Sequence, residues 1–344
     1  MPRLADLRLP ETSTRLRREV LDEVRDRTLA TCQHLGLIRP DRMPVRKYLA
    51  GRFELLAALA YPDADVDELV LCNDFNTYLF YVDDQADETE EYGKSPAALR
   101  QYLNGHLRAL REGAVASYDD PGAQLLLSVR ERLLRCVSHA WLGRFVEDVS
   151  DYLLRGTLTS AVRWTAGSVA PLDEYIEHRA WDSAVLPAQD LIEVAGAGEL
   201  PEFFHARGDF RELRRLCTNV AAFTNDLVSY SKEVRDHASP NNLVHVVMVH
   251  EHATLSQAIE RVIGMINADV AAFEHVACAL PSFDPDTDAR VDRYLASQRA
   301  WMGGNLLWSL ASGRYADPES PFVELRGTAH AAVASSDGGF EQLS

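Results

Sequence analysis

Three polar residues, each four positions from the next, interrupt an apolar segment near the middle of the chain. The segment is 217-CTNVAAFTNDLVSYSKEVRDH-237, and the polar residues are Asn225, Ser229 and Glu233. In a helix, positions four apart stay on one face, so an amide, a hydroxyl and a carboxylate would form one stripe. Oxygen ligands of this kind suit a hard cation such as Mg²⁺. The stripe also fits an ordinary solvated helix face, so the spacing alone does not establish a metal site.

A second acidic cluster lies in the segment 75-FNTYLFYVDDQADETE-90. It contains Asp83, Asp84, Asp87 and Glu88, of which Asp83 and Asp87 share a helical face. Because unpaired buried charges are costly, these carboxylates are expected either to face solvent or to hold metal. Since 52 of the 344 residues are Asp or Glu, an acidic triplet of the form DDxxD is expected about once by chance. This motif alone is therefore weak evidence for a metal site.

Taken together, the two clusters resemble the paired metal motifs of bacterial class I terpene cyclases. The stretch 83-DDQAD-87 looks like the aspartate-rich DDxxD motif, and 225-NDLVSYSKE-233 matches the pattern (N/D)Dxx(S/T)xxxE. The second pattern restricts four positions within nine residues, so a chance match is far less expected. Within it, Asp226 points away from the stripe and is expected either to pair with a basic group or to have no separate role. The resemblance extends from about residue 45 to residue 315.

Two further elements agree with this resemblance in order and spacing. Arg179, which lies 46 residues before Asn225, stands where bacterial members carry a diphosphate-sensing arginine. Asp182 and Ser183 follow where those members carry a linker and an effector position at a helix break. The counterpart of the family's last helix, with its terminal Arg-Tyr pair, is 305-NLLWSLASGRY-315, which ends in Arg314 and Tyr315.

The resemblance implies a fold, a reaction and a set of residue roles. The fold is an all-α, single-domain class I terpenoid synthase helical bundle around a central cavity. The reaction is Mg²⁺-dependent ionisation of a linear prenyl diphosphate, farnesyl or geranylgeranyl diphosphate, and cyclisation of the carbocation to a sesquiterpene or diterpene with release of diphosphate. Three Mg²⁺ ions are implied, with metal contacts at Asp83, Asp87, Asn225, Ser229 and Glu233. Hydrogen bonds to the diphosphate are implied for Arg179, Lys232, Arg314 and Tyr315.

Aromatic and amide side chains are the candidates for the apolar part of the cavity. Phe80 and Trp308 stand where the family lines its cavity, and ring faces stabilise cations by roughly 0.5 to 2 kcal/mol per contact. Asn305 is expected either to steer a water molecule onto a cation or to bond backbone groups in the core. One turn before Phe80 a further ring would be unsurprising, but the chain has Asn76 there. For three other rings, core packing is at least as good an explanation as a place in the cavity wall: Trp181, Phe223 and Trp301.

The composition argues against several classes of function. Lys and Arg number 35 against 52 Asp and Glu, giving a formal net charge of −17, which disfavours nucleic acid or an anionic membrane as a partner. The five cysteines are scattered and contain no CxxC pair, so neither a disulfide framework nor a structural zinc site is indicated. The charged N-terminus has no apolar signal segment, and no apolar run is long enough to span a membrane. We therefore predict a cytoplasmic protein without membrane insertion, and a homodimer is compatible with the sequence.

Helical periodicity dominates the chain, and strand-like alternation is scarce. No linker or composition shift divides it, so residues 1–326 are predicted to form one domain, followed by a disordered tail at 327–344. The predicted helices lie at about 13–35, 44–61, 65–84, 95–112, 121–138, 141–165, 172–184, 187–198, 209–236, 240–250, 253–279 and 286–312.

Two features favour a C20 substrate over a C15 substrate. The helix segment 53-FELLAALAYPDAD-65 has Leu and Ala where aromatic residues often narrow the pocket. Gly303 and Gly304 lack side chains beside Asn305. Both features are expected to enlarge the cavity.

Three other functions are compatible with a helical chain of this kind. A chain-elongating isoprenyl diphosphate synthase would carry a second DDxxD motif in place of 225-NDLVSYSKE-233. A di-iron bundle would need two Glu-x-x-His elements, whereas only Glu202 to His205 fits that pattern. A non-enzymatic helical interaction protein would leave the acidic stripes solvated, without Mg²⁺-dependent binding of a diphosphate.

Overall fold

Helices account for the regular secondary structure, as the periodicity of the sequence predicts. The computed structural model describes residues 2–12, 16–88, 92, 95–115, 117, 119–236 and 239–326. Residues 87, 88 and 236 are described by their backbone alone. Within these ranges no β-strand forms, and no helix has the length and apolar character needed to cross a bilayer. The predicted disordered tail lies outside the described residues.

The α-helices are numbered here in chain order. They are α1 (Arg18–His34), α2 (Val45–Gly51), α3 (Phe53–Ala60), α4 (Val66–Glu88), α5 (Pro96–Glu112), α6 (Pro121–Leu133), α7 (His139–Asp151), α8 (Leu158–Ala166), α9 (Leu172–Asp182), α10 (Val185–Ile192), α11 (Glu202–Ala206), α12 (Gly208–Tyr230), α13 (Leu243–His250), α14 (Leu255–Cys278) and α15 (Pro285–Ala311). Within the described residues, π-helical turns extend these helices at Tyr152–Thr157, between α7 and α8, and at Ser231–Asp236, after α12. The segment Glu193–Ala197 after α10 is irregular, because Ala195 and Gly196 depart from helical backbone angles.

Capping residues explain where several of these helices begin. Asp120 accepts a hydrogen bond from the backbone N–H of Ala123 (3.0 Å) and precedes Pro121 at the start of α6. Asp284 caps α15 in the same way, directly before Pro285. A side-chain acceptor satisfies N–H groups that the first turn leaves unpaired, and proline has no N–H to satisfy.

One predicted helix, 44–61, is divided in the structure, so its prediction as a single helix was wrong. α2 and α3 meet at Arg52, whose φ of 49° puts it in the left-handed region. The break leaves backbone carbonyls at the end of α2 available to other segments. Gly51 O accepts a hydrogen bond from the Trp308 indole N–H (2.8 Å), and Ala50 O accepts one from Gly313 N (2.8 Å). Contacts with the distant C-terminal segment, which local sequence cannot reveal, therefore accompany this break. The short helix α11 was also not predicted.

The long helix α12 brings the predicted polar stripe to the centre of the fold. Helices α14 and α15 pack against it, while α3 packs against α4 and α15. The apolar face predicted for this segment is buried, with Leu216, Val220 and Phe223 each at most 1% exposed. Because this face fixes the rotation of α12, the stripe that begins at Asn225 is held beside the central cavity.

Gly303 and Gly304 contact neighbouring segments of the core rather than the cavity. A Cβ atom on Gly303 would overlap the carbonyl oxygen of Pro10, and one on Gly304 would lie 2.9 Å from Cβ of Leu59. Each glycine therefore makes room for a packed neighbour. The prediction that this pair enlarges the cavity was wrong, although Leu56 of α3 does line the cavity.

This close packing predicts opposite effects for two glycine substitutions inside helices. Gly303→Ala should lower the free energy of unfolding by about 1 to 3 kcal/mol, because the new methyl group displaces the segment at Pro10. Gly264→Ala, in α14, is the matched control: its Cβ would meet nothing within 4 Å, so it should be neutral or stabilising by up to about 1 kcal/mol. Urea denaturation of both variants measures this difference, and equal effects would contradict the packing described for Gly303.

Candidate active site

A cavity lies among α3, α4, α9, α10, α12 and α15, with a charged side and an apolar side. Its empty volume, including its open mouth, is about 1150 Å³. The charged and polar lining includes Asp83, Arg179, Asn225, Lys232, Glu233 and Arg314. The apolar lining includes Leu56, Leu79, Phe80, Ala188, Trp301 and Trp308. An apolar pocket with a few convergent polar groups is the usual form of a small-molecule site.

Two adjacent aspartates on α4 share the guanidinium group of Arg314. Asp83 accepts a hydrogen bond from one terminal nitrogen of Arg314 and Asp84 from the other, both at 2.9 Å. The Asp83 side chain is about half exposed, whereas Asp84 is buried and also lies 3.0 Å from Lys47 Nζ and 3.9 Å from Lys232 Nζ. Burial opposes ionisation of Asp84, but the three surrounding cations outweigh it and hold its pKa below the usual range. Asp83 is thus the accessible carboxylate of the pair.

The remaining acidic residues of this motif lie at the end of α4. The helix continues to Glu88, so the backbone of Asp87 lies one turn beyond Asp83. The side chain of Asp87, a predicted metal contact, is outside the part that the structure describes. Within that part, no three His, Cys, Asp or Glu side chains form a metal-binding group.

The predicted polar stripe starts in α12 and ends in the π-helical turn that follows. Asn225 accepts a hydrogen bond from Arg179 through Oδ1 (3.0 Å) and donates one from Nδ2 to the Tyr315 hydroxyl (2.9 Å). Ser229 Oγ donates to the backbone carbonyl of Asn225 (2.7 Å). Glu233 lies in the turn Ser231–Asp236 and lines the cavity. π-Helical turns often occur at functional sites, and here the turn alters the direction of the last stripe residue.

Glu233 is positioned by Asn242, which caps α13. The Asn242 amide donates hydrogen bonds to Glu233 Oε2 (3.0 Å) and to the backbone carbonyl of Asp226 (2.8 Å). Burial, together with the nearby Asp226 carboxylate, raises the pKa of Glu233 to about 7 although Arg179 opposes the shift. Amide, hydroxyl and carboxylate oxygens on one stripe are donors that fit a hard divalent cation.

Arg179 is held by a fully buried carboxylate. Its guanidinium lies 2.7 Å from Asp226 Oδ1, and its Nε also donates to that oxygen at 2.9 Å. Asp226 Oδ2 accepts hydrogen bonds from the Tyr175 hydroxyl (2.8 Å) and the backbone N–H of Leu243 (2.9 Å). Of the two alternatives for Asp226, the structure therefore has the ion pair with a basic group. This pair joins α9, α12 and the start of α13.

Asp182 and Ser183 lie at a break between α9 and α10, as the resemblance implied. Ala184 has a φ of 59° at this break. Asp182 accepts a hydrogen bond from Ser160 (2.8 Å) and lies 3.7 Å from Arg179, while Ser183 Oγ accepts one from Val185 N (3.3 Å). Both residues line the cavity.

Four aromatic rings form a connected wall beside the charged groups. Phe80 stacks on Phe53 with centroids 4.7 Å apart and lies 5.2 Å from Trp308, which meets Tyr315 edge to face at 5.6 Å. The Arg314 guanidinium lies 5.0 Å from the Phe80 ring. Phe80 and Trp308 line the cavity. Phe53 supports Phe80 from behind, a role that the sequence did not indicate.

The other proposed cavity residues differ in their positions. Asn305 lines the cavity, but its Nδ2 donates to the backbone carbonyl of Ala221 (3.0 Å). Trp301 also lines the cavity, whereas Trp181 lies under the Arg155 guanidinium and Phe223 is buried in the core.

Asn242 and Lys47 are among the polar residues near the site that were missed at the level of sequence. Asn242 could have been found from its place directly before the apolar run of α13, where an asparagine often caps a helix. Lys47 belongs to no recognisable motif, and only the fold brings α2 close to Asp84.

Several known proteins that are similar to this chain are terpene synthases. Residues 74–272 match the family model described as terpene synthase family 2, C-terminal metal binding. The (+)-T-muurolol synthase of Roseiflexus castenholzii is 31% identical over 86% of this chain and 89% of its own length. The germacrene A synthase of Nostoc punctiforme is 29% identical over 78% and 83%. The fold is similar to that of 2-methylisoborneol synthase from Streptomyces coelicolor, with a TM-score of 0.77, 23% identity and coverage of 90% and 96%.

The chain belongs to terpene synthase family 2, a metal-binding family of terpene synthases. It has the all-α class I fold that the two motifs predicted, and it is an enzyme of the lyase type that this family represents. The prediction of a terpene cyclase is thereby confirmed over the chain-elongating and non-enzymatic alternatives.

The Arg179–Asp226 pair predicts a graded loss of stability. Asp226→Asn should lower the free energy of unfolding by about 3 to 5 kcal/mol, because Arg179 would remain buried without a carboxylate. Tyr175→Phe is the control, since it removes a single hydrogen bond to the same carboxylate and should cost about 1 kcal/mol. Guanidinium denaturation measures both variants. If Asp226→Asn were no more destabilising than Tyr175→Phe, the ion pair would not be the main contact at this junction.

Proposed function

We propose that the protein ionises farnesyl diphosphate with Mg²⁺ and cyclises the resulting carbocation to a sesquiterpene. The observation that carries this proposal is the meeting of oxygen donors and cationic side chains on one side of an apolar cavity. The choice of farnesyl over geranylgeranyl diphosphate is supported by a relative at 31% identity whose name specifies (2E,6E)-farnesyl diphosphate. The packing of Gly303 and Gly304 also removes one argument for a longer substrate.

The residues that would hold Mg²⁺ belong to two helices. Asp83, joined by Asp87, would bind metal from α4, and Asn225, Ser229 and Glu233 would bind it from α12 and its π-helical turn. Three ions per site are proposed by resemblance to the family. Mg²⁺ held there would neutralise the charge that develops on diphosphate as its bond to carbon breaks. A related fold, that of 2-methylisoborneol synthase, has been solved with Mg²⁺ and 2-fluoroneryl diphosphate.

Cationic and hydroxyl donors of the chain would bind the diphosphate itself. Arg179 and Arg314 can each offer two parallel N–H groups, whereas Lys232 offers a point charge and is expected to be more replaceable. The Tyr315 ring packs against Trp308, while its hydroxyl accepts a hydrogen bond from Asn225 and can donate a further one to diphosphate. All of these residues line the same cavity.

The helix break at residues 182–184 would link diphosphate binding to ionisation. Asp182 lies 3.7 Å from Arg179, and Ser183 Oγ accepts a hydrogen bond from Val185 N, so a diphosphate bound to Arg179 would lie directly beside the break. The rings of Phe80 and Trp308 would stabilise the carbocation by roughly 0.5 to 2 kcal/mol per contact. Asn305 would take part mainly by fixing the backbone at Ala221, to which it is bonded.

The first test is product analysis with three substrates. Purified protein is incubated with Mg²⁺ and, separately, geranyl, farnesyl and geranylgeranyl diphosphate, and extracts are analysed by gas chromatography and mass spectrometry. A cyclic C15 product that disappears on chelation of the metal is the expected result. A longer diphosphate formed on addition of isopentenyl diphosphate would indicate chain elongation and contradict the proposal.

The role of Asp83 predicts a selective loss of turnover. Asp83→Ala should lower kcat/KM by about 10² to 10³, since the charge that receives the metal is lost. Asp209→Ala is the matched control: Asp209 is also a carboxylate paired with an arginine, Arg207, but it does not line the cavity. Circular dichroism monitors folding of both variants. Wild-type turnover in Asp83→Ala would refute the assignment.

A further inference from the structure

Asn76 places an unpaired amide in the apolar part of the cavity. It lies on the same face of α4 as Leu79, Phe80 and Asp83, and all four line the cavity. Asn76 is only 1% exposed, and its buried Nδ2 has no hydrogen-bond partner among the described residues. Buried amides are nearly always paired, so a donor that no described residue satisfies is suited to a partner that enters the cavity.

Other amides nearby do not share this property. Asn305, which also lines the cavity, donates its Nδ2 to the backbone carbonyl of Ala221. Asn73, one turn earlier on α4, donates its Nδ2 to Thr28 Oγ1 at 3.0 Å. Among the amides that line the cavity, Asn76 is thus the one whose Nδ2 has no partner among the described residues, although Asn73 Oδ1 and Thr77 Oγ1 on α4 are also buried without one.

The position of Asn76 along α4 restricts what its partner is. Seven residues separate it from Asp83, which corresponds to about 10 Å along a helix. At that depth a prenyl chain presents only hydrocarbon, which cannot accept or donate a hydrogen bond. Water is the small polar molecule that can pair with the amide, and a cavity with both space and polar groups can retain it.

We propose that Asn76 holds a water molecule that captures the cyclised carbocation, so that the main product is a cyclic terpene alcohol. This inference rests on the proposed function. A lone pair of the water oxygen forms the new C–O bond, and the resulting oxonium group loses one proton to a second water molecule or to released diphosphate. Because Asn76 lies far from Asp83, this water reaches carbons distant from the diphosphate and not the carbon that loses it. Asn76 is thus a specificity-determining residue that selects capture by water over loss of a proton.

The test is isotope labelling of the wild-type protein. The enzyme is incubated with farnesyl diphosphate and Mg²⁺ in water enriched in ¹⁸O, and the products are analysed by gas chromatography and mass spectrometry. The expected result is a cyclic alcohol that carries ¹⁸O. Cyclic hydrocarbons without any labelled cyclic alcohol would overturn this inference and leave the proposed cyclase intact, whereas absence of every cyclic product would refute both.

Substitutions then test the residue itself. Asn76→Leu, which keeps a similar shape without the amide, should lower the ratio of cyclic alcohol to cyclic hydrocarbon by about tenfold, the effect of losing one hydrogen bond. Asn76→Ala should shift the ratio in the same direction, and it replaces Asn76→Leu as the test if the leucine variant does not fold. Thr77→Val removes a buried, unpaired hydroxyl beside Asn76 that does not line the cavity, and it should leave the ratio near that of the wild type. An unchanged ratio in a folded Asn76 variant, or an equal shift in Thr77→Val, would overturn the assignment.

Discussion

The ion pair between Arg179 and Asp226 is the contact on which the arrangement of the site depends. Asp226 has no exposed surface, so its charge is tolerable only because the guanidinium, the Tyr175 hydroxyl and the Leu243 N–H all point to it. These donors belong to α9 and α13, and the carboxylate belongs to α12. The helix that carries the polar stripe is therefore held in register by charge as well as by apolar packing, and Arg179 is fixed beside Asn225.

Across the cavity, Arg314 also forms ion pairs with carboxylates, but its pair with Asp83 is easier to break. It bonds both Asp83 and Asp84, but Asp83 is half exposed and Asp84 has Lys47 and Lys232 as further partners. The bond between Arg314 and Asp83 can therefore break without leaving a buried carboxylate unpaired. Breaking the bond between Arg179 and Asp226 would leave the buried Asp226 carboxylate without its cation. When a diphosphate binds together with cations, its oxygens can pair with Arg314 and the cations can pair with Asp83. We infer that this side adjusts on binding while the Arg179 side remains in place.

Sequence reasoning succeeded where local pattern decides structure and failed where distant contacts decide it. The stripe on α12 follows from helical period and an apolar face, and both are local. At this break the left-handed residue is Arg52 and not the preceding Gly51, and carbonyls beside it bond Trp308 and Gly313 more than 250 positions away. Gly303 was misinterpreted for a related reason, because a sequence does not state which neighbour occupies the space that a glycine leaves. The partner of Asp226 was left open because two explanations fitted equally well.

Asn76 is informative because it departs from two rules that describe most of the cavity lining. Polar groups at the charged side have partners, and the wall deeper along α4 is made of Leu79 and Phe80. An aromatic ring at position 76 would have satisfied both rules and would also have stabilised a cation. The amide stabilises a cation less well and leaves a buried donor unpaired, so on stability alone it is the worse choice. Such a departure is expected where function and stability oppose each other, and the function it allows is the retention of one polar molecule beside a reactive hydrocarbon.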